Sequence, residues 1–273
     1  MEQIAVPILL DTNKDSLEKA IASCNIFVNL IDKKAKGIHM SRLHKILTEL
    51  DGIKLNRDSI KQSLKSAVAS QNNLSNSAKI DFSFDVILKK HALLSNEYGY
   101  QSYPIKINTQ LNKGKLDTEI EFSLSYSSTC PCSASLSRQL YAQSIETHFP
   151  TDTIKKSDIL AWIQSKEGSI ATPHSQRSYA YIKLSIGDQP WPDFTSLIQQ
   201  FEKSIVTAVQ TAVKREDEQA FAKLNAENLM FCEDAARKIK ATLETLDYVN
   251  DYWLKIEHQE SLHDHNAVVI DHS

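Results

Sequence analysis

The chain has 273 residues, 41% of them hydrophobic and 24% charged, with a formal net charge of -3 and a pI near 6.3. A chain of this size and composition buries a core without disulfides or a structural metal, and its slightly acidic balance offers no basic field to nucleic acid. No apolar run of about eighteen residues argues for a membrane span, the start MEQIAVPILLDTNKD lacks a basic signal-peptide region, and four cysteines in so long a chain fit a reducing compartment, so the expected location is the cytoplasm.

Residues 1–24 have weak periodicity and are expected to form an N-terminal arm. NIFVNLI (25–31) reads as a short buried strand. In KGIHMSRLHKILTEL, Met40, Leu43, Ile46, Leu47 and Leu50 recur at helical spacing, and a second helix is expected over about 57–70. The period then changes to two, with Ile80, Phe82, Phe84 and Val86 alternating against polar neighbours. YPIKINTQL and LDTEIEFSLSY flank Asn112-Lys113-Gly114 and predict an antiparallel hairpin. Leu116, Thr118, Ile120, Phe122, Leu124 and Tyr126 make one face of its second strand.

That strand runs into STCPCS, with a helix expected from about Ser135 to Glu146. DILAWIQSKEG reads as a surface helix within an insertion at about 140–170, and RSYAYIKLSI as a further strand. Leu197, Phe201, Ile205, Ala208 and Ala212 describe a long amphipathic helix from Phe194 onward. Helices over about 217–226 and 228–246, the strand YWLKIEH and the stretch NAVVI complete the chain. The order predicts an α+β protein of two similar halves, 25–128 and 129–273, each an antiparallel sheet with helices on one face.

Several clusters carry chemistry. Cys130-Pro131-Cys132 lies where a strand ends and a helix begins, where the helix dipole favours a thiolate as nucleophile or metal ligand; a buried pair at a turn is an equal reading of the tripeptide alone. His174-Ser175-Gln176-Arg177 puts a polar cluster at a strand start, awkward for a core. Lys214-Arg215-Glu216-Asp217-Glu218 reads, by composition, as a solvated helix cap. Glu233, between Leu229, Met230, Phe231 and Ala236, reads as a buried carboxylate in need of a partner, and Cys232 as a core thiol. His263 and His265 beside Asp264 have ligand chemistry. No Walker A loop, GxGxxG or GxSxG occurs, which argues against phosphate-loop and Rossmann chemistry and removes the usual serine hydrolase.

KGIHMSR (36–42), STCPCS (128–133), HSQR (174–177), KREDEQAFAKLNAENLMFCEDAAR (214–237) and ESLHDHNAV (260–268) together resemble the type IB GTP cyclohydrolases of bacterial folate synthesis, in order and over about residues 25–270. The block from Lys214 to Arg237 is the most specific. The resemblance implies a tunnelling fold of two ββααββ-like modules and a homotetramer with sites at subunit interfaces. It implies hydrolysis of carbon–nitrogen bonds in a cyclic amidine, converting GTP and water to 7,8-dihydroneopterin 3′-triphosphate and formate. It implies one divalent metal per site (Zn, Mn, Fe or Mg) held by Cys130, Glu218, His263 and His174, with Cys130 and His174 catalytic. Glu233 then anchors guanine, and Arg177, Lys214, Arg215 and Arg237 are candidates for the triphosphate; His39 and Arg42 are candidates to complete the site from another subunit. The sequence departs from the family pattern at Ala134 and Ser135, where no role is assigned, and at Asp264 and Asn266, which leaves His265 without a role; Cys132 is also assigned none. The rival readings are the related nitrile reductase of queuosine synthesis and a non-catalytic purine-binding scaffold.

Overall fold

Alternating apolar residues dominate the chain, and in the computed structural model, which describes residues 1–13, 16–32 and 34–273, they build one sheet. Its strands are β1 (Ile4–Asn13), β2 (Ser16–Val28), β3 (Ser77–His91), β4 (Tyr98–Asn112), β5 (Lys115–Thr129), β6 (Ser175–Ser185), β7 (Asp251–His258) and β8 (Ala267–His272). They follow one another in sequence order and every neighbouring pair is antiparallel. The helices are α1 (Met40–Thr48) and α2 (Arg57–Ala69) between β2 and β3, α3 (Pro131–His148) and α4 (Lys156–Gln164) between β5 and β6, and α5 (Phe194–Ile205), α6 (Arg215–Glu227) and α7 (Cys232–Leu243) between β6 and β7.

The predicted face of β5 is the buried one, and it continues through Ser128. Asn112 pairs with Lys115, leaving Lys113 and Gly114 as a two-residue loop with φ of 48° and 85°. Positive φ at both positions is the type I′ geometry that matches strand twist, and glycine takes the second position without strain. Helix α5 lays Phe194, Leu197, Ile198, Phe201 and Ile205 on the sheet; α2 and α7 cover its other parts, and α1 rests on α2.

Three expectations change. The N-terminal segment is not an arm: β1 and β2 form a hairpin whose Val6, Ile8, Leu10, Ala22, Cys24 and Ile26 are buried. Apolar neighbours at Ile4, Ala5 and Leu9 hid the alternation in β1, and Pro7 is tolerated because β1 is an edge strand. Residues 14 and 15, also part of the expected arm, lie outside the described residues.

The long helix from Phe194 stops at Ile205, where Val206 turns to φ 71°. Beyond Phe122, β5 has lost its β4 partner, and the 207–209 segment takes the open backbone groups. Ser127 N donates to Thr207 O (2.9 Å) and Val209 N to Ser125 O (3.2 Å). Satisfying buried backbone outweighs the helical periodicity of Ala208 and Ala212 there. The last long helix also starts later than expected, at Cys232 instead of about 228.

One buried polar cluster tests the packing of α5. Glu202, 7% exposed, accepts hydrogen bonds from Tyr103 Oη and Lys90 Nζ. Glu202→Ala leaves both donors without an acceptor and is expected to cost about 3 kcal/mol, read from urea midpoints; Glu202→Gln, which retains an oxygen for Tyr103, is expected to cost less.

Candidate active site at one end of the sheet

Because neighbouring strands alternate in direction, the ends of β3, β5 and β7 and the starts of β4, β6 and β8 share one end of the sheet. Most of the singled-out residues lie there. Strand β5 ends at Thr129 and Cys130 caps α3 in an extended conformation (φ -69°, ψ 123°). Pro131 at the first helical position has its φ preset and lacks an N–H that would otherwise go unpaired.

Cys130 N donates to His174 O at 3.2 Å, one step beyond the last β5–β6 pair. His174 N donates to Ser133 Oγ (3.1 Å), so the two loop ends hold each other. The imidazole is held by Nδ1, which lies 3.1 Å from Gln176 Oε1 and 3.7 Å from Glu260 Oε2. Both oxygens only accept, so Nδ1 carries the proton and the lone pair at Nε2 is left for another partner. Gln176 is oriented in turn by its Nε2, which donates to Ser128 Oγ (2.8 Å), itself 2.8 Å from Ser178 Oγ.

Behind this layer, Tyr126 Oη meets His258 Nε2 at 2.9 Å with the rings edge to face, and both side chains are buried. Burial holds His258 down to about 4, against a smaller opposing pull from Glu233. In the unfolded chain it protonates near 6.5, so as pH falls from 6.5 toward 4 the unfolded state takes up the proton first and stability is lost. The loss amounts to about 3 kcal/mol. His258→Gln retains a partner for Tyr126 and is expected to flatten that part of the stability–pH curve, as denaturant midpoints at pH 7 and pH 4.5 would show.

Helix α7 is moored to the same place by Met230 N, which donates to Thr129 O at 3.2 Å. Cys232, Ala235, Ala236 and Ile239 form its buried face, which leaves Glu233 and Arg237 on the exposed flank. The expectation of a buried Glu233 is therefore corrected: its apolar neighbours in sequence are not its neighbours around the helix. As an acid in the first turn it also suits the helix N-terminus. Cys232 is the core thiol expected, pushed up to about 11 mainly by burial and facing Ile256 O and Ala267 O.

The other predicted residues are placed as follows. His263, in the loop between β7 and β8, is exposed and stacks on His265 with centroids 5.0 Å apart. Lys214, Arg215 and Glu218 are exposed at the start of α6, where Lys214 Nζ meets Glu97 Oε1 at 3.0 Å. Arg237 pairs with Asp234. Arg177 is exposed and, by the strand's alternation, leaves the face of β6 opposite Gln176 and Ser178. Cys132 is exposed in the first turn of α3. His39 and Arg42 are tied to Gln71 and Ser70 near the start of β3, at the other end of the sheet.

Thus one chain joins Cys130 to His174 and brings Glu260 to the same imidazole. Among its described residues, no three His, Cys, Asp or Glu side chains gather as a metal site. The sequence reading gave no role to Glu260, to the Gln176–Ser128 pair, to Tyr126–His258, or to Asp217, which is fully buried within the supposedly solvated charge run. His258 had a signal: it takes the buried phase of Tyr252, Leu254 and Ile256.

The family described as GCHY-1, type I GTP cyclohydrolase folE2, matches residues 1–269. The chain belongs to the FolE2 family of type I GTP cyclohydrolases. It is 51% identical over 271 residues to the GTP cyclohydrolase FolE2 of Hahella chejuensis, covering 99% of this chain and 88% of that one. With the FolE2 of Pseudoalteromonas atlantica the identity is 52% over 272 residues, covering 99% and 89%. Among solved structures, the uricase of Arthrobacter globiformis superposes with a TM-score of 0.53 at 6% identity over all of this chain and 91% of that one. That likeness concerns the fold alone, and it agrees with the α+β, antiparallel architecture of this FolE2 chain. No helix among the described residues is long and apolar enough to cross a membrane.

Proposed function

We propose that this FolE2 chain is a cytoplasmic, metal-dependent GTP cyclohydrolase of type IB. It converts GTP and water to 7,8-dihydroneopterin 3′-triphosphate and formate, the first step of tetrahydrofolate synthesis. The observation that carries the reading is the junction of Cys130 and His174, with Nε2 of His174 left free, in a chain that matches the family over nearly its whole length. Two tandem modules fit the element order best if they divide at the Lys113–Gly114 turn, giving β1β2α1α2β3β4 and then β5 to β8 with α3 and α4 inserted. This moves the boundary from 128 because β5 opens the second set instead of closing the first.

The donors Cys130, Glu218, His263 and His174 have the mixed thiolate, imidazole and carboxylate chemistry that suits a borderline divalent ion. When bound, such an ion supplies a water of lowered pKa. The four are spread along one end of the sheet in a single chain, so the reading requires assembly into the homotetramer, or ion binding itself, to draw them together. Nε2 of His174 either ligates the ion or, free of it, accepts and returns a proton, while Gln176 and Glu260 hold the tautomer. Glu233 accepts two hydrogen bonds from guanine N1–H and the 2-amino group. Lys214 and Arg215, at a helix N-terminus that adds its own partial positive charge, are best placed for the triphosphate, with Arg177 and Arg237 further candidates.

The test is GTP turnover by metal-depleted protein with Zn, Mn, Fe or Mg added back, following formate and the fluorescence of the oxidised pterin. Product with at least one metal is expected, and none with any metal overturns the reading. NADPH-dependent reduction of a nitrile would instead support the reductase alternative.

A further inference from the structure

We infer that Asp217 is a positioning residue: its buried carboxylate locks the tip of the β3–β4 hairpin onto the first turn of α6, and this lock sets the direction in which Glu218 leaves the helix. Oδ1 accepts from Leu94 N (2.7 Å) and Ser95 N (2.9 Å), and Oδ2 accepts from Ser95 Oγ (2.6 Å) and Lys214 N (2.9 Å). Asp217 has no exposed surface, and these four bonds fill the acceptor capacity of an ionised carboxylate. Two of its donors are backbone groups of the hairpin tip and one is the backbone N–H that caps α6, so the carboxylate joins two segments that are 122 residues apart in sequence.

The same two segments meet twice more. Lys214 Nζ lies 3.0 Å from Glu97 Oε1, and Thr211 fills the space beside Gly99, where an added Cβ would sit 2.7 Å from the threonine side chain. The contact is therefore a fitted surface with Asp217 at its centre. One residue further along an α-helix is a rotation of about 100°, so a fixed Asp217 fixes the outward course of exposed Glu218. Helix α6 cannot turn about its axis without breaking charge-assisted hydrogen bonds, each stronger than a neutral one.

The inference rests on the reading of Glu218 as a ligand, and the test separates the two. Asp217→Asn has a single acceptor oxygen and turns an NH2 toward donors; Ser95→Ala removes one hydroxyl and leaves α6 untouched. Each variant is compared with the parent for thermal midpoint, Mn²⁺ affinity by titration calorimetry and GTP turnover, at a temperature where it is folded. Mn²⁺ affinity is expected to fall about 10- to 100-fold for Asp217→Asn and about tenfold for Ser95→Ala, with Ser95→Thr restoring it. A purely structural role would lower the midpoint and leave Mn²⁺ affinity unchanged in the folded protein, which overturns the inference. If Asp217→Asn does not fold, Ser95→Ala and Ser95→Thr decide by the same criterion. Glu218→Gln is the control: unchanged Mn²⁺ affinity there overturns the ligand reading and the inference together. Loss of Mn²⁺ binding in Glu218→Gln, with parental affinity in Asp217→Asn and Ser95→Ala, overturns the lock alone.

Discussion

Cys130→Ala is expected to lower GTP turnover by about 10³-fold or more, with the fold intact. The structural case for both halves of that result is local. The hydrogen bonds that place Cys130 run through its backbone, from its N–H to His174 O and from Ala134 N to its carbonyl. Alanine retains both, and it is accepted at an extended position before Pro131. Only the sulfur is lost, and that sulfur belongs to the N-cap residue of α3, whose backbone is bonded to that of His174. Thermal midpoint and circular dichroism should match the parent, while pterin formation disappears. Turnover within about threefold of the parent would remove Cys130 from the chemistry.

The fold was legible wherever one physical signal dominated. Strand β5 shows an uninterrupted two-residue period opened by a Lys-Gly turn, and its phase in the structure is the one the sequence displays. Strand β1 was not legible, because an edge strand with apolar residues on both faces has no alternation to read. The 206–212 segment was misread for another reason. Its helical pattern is real, but the end of β5 has unpaired backbone beyond Phe122, a fact of topology that no local period contains.

The site divides along the same line. Residues whose types are chemically marked, such as Cys130 and His174, stand out in the sequence, and in the chain a backbone hydrogen bond links these two. The residues that orient them are ordinary in sequence. Gln176 and Glu260 matter because β6 and the segment after β7 bring both to Nδ1 of one ring. Asp217 looked solvated amid a charge run, and only the return of the β3–β4 hairpin buries it. Glu233 erred in the opposite direction: composition made it buried, whereas the phase set by Cys232, Ala235 and Ala236 turns it outward.

That exposure sharpens the expected behaviour of Glu233→Gln. In the free chain the carboxylate faces solvent in the first turn of α7, so its loss should leave stability within about 0.5 kcal/mol of the parent. Under the proposed function the effect falls on recognition, where guanine would cover the carboxylate and water could no longer satisfy it. Glutamine offers one oxygen and an NH2 group to two guanine donors, so one donor is left unpaired or opposed. A site built to hydrogen-bond its substrate typically loses about 10⁴-fold when that match is broken, and kcat/KM for GTP is expected to fall by about 10³- to 10⁴-fold. The diagnostic comparison uses inosine triphosphate, which lacks the 2-amino group. The parent should strongly prefer GTP, and Glu233→Gln should lose most of that preference if, as proposed, the carboxylate reads the amino group. An unchanged GTP-to-ITP ratio would mean that another residue reads the base.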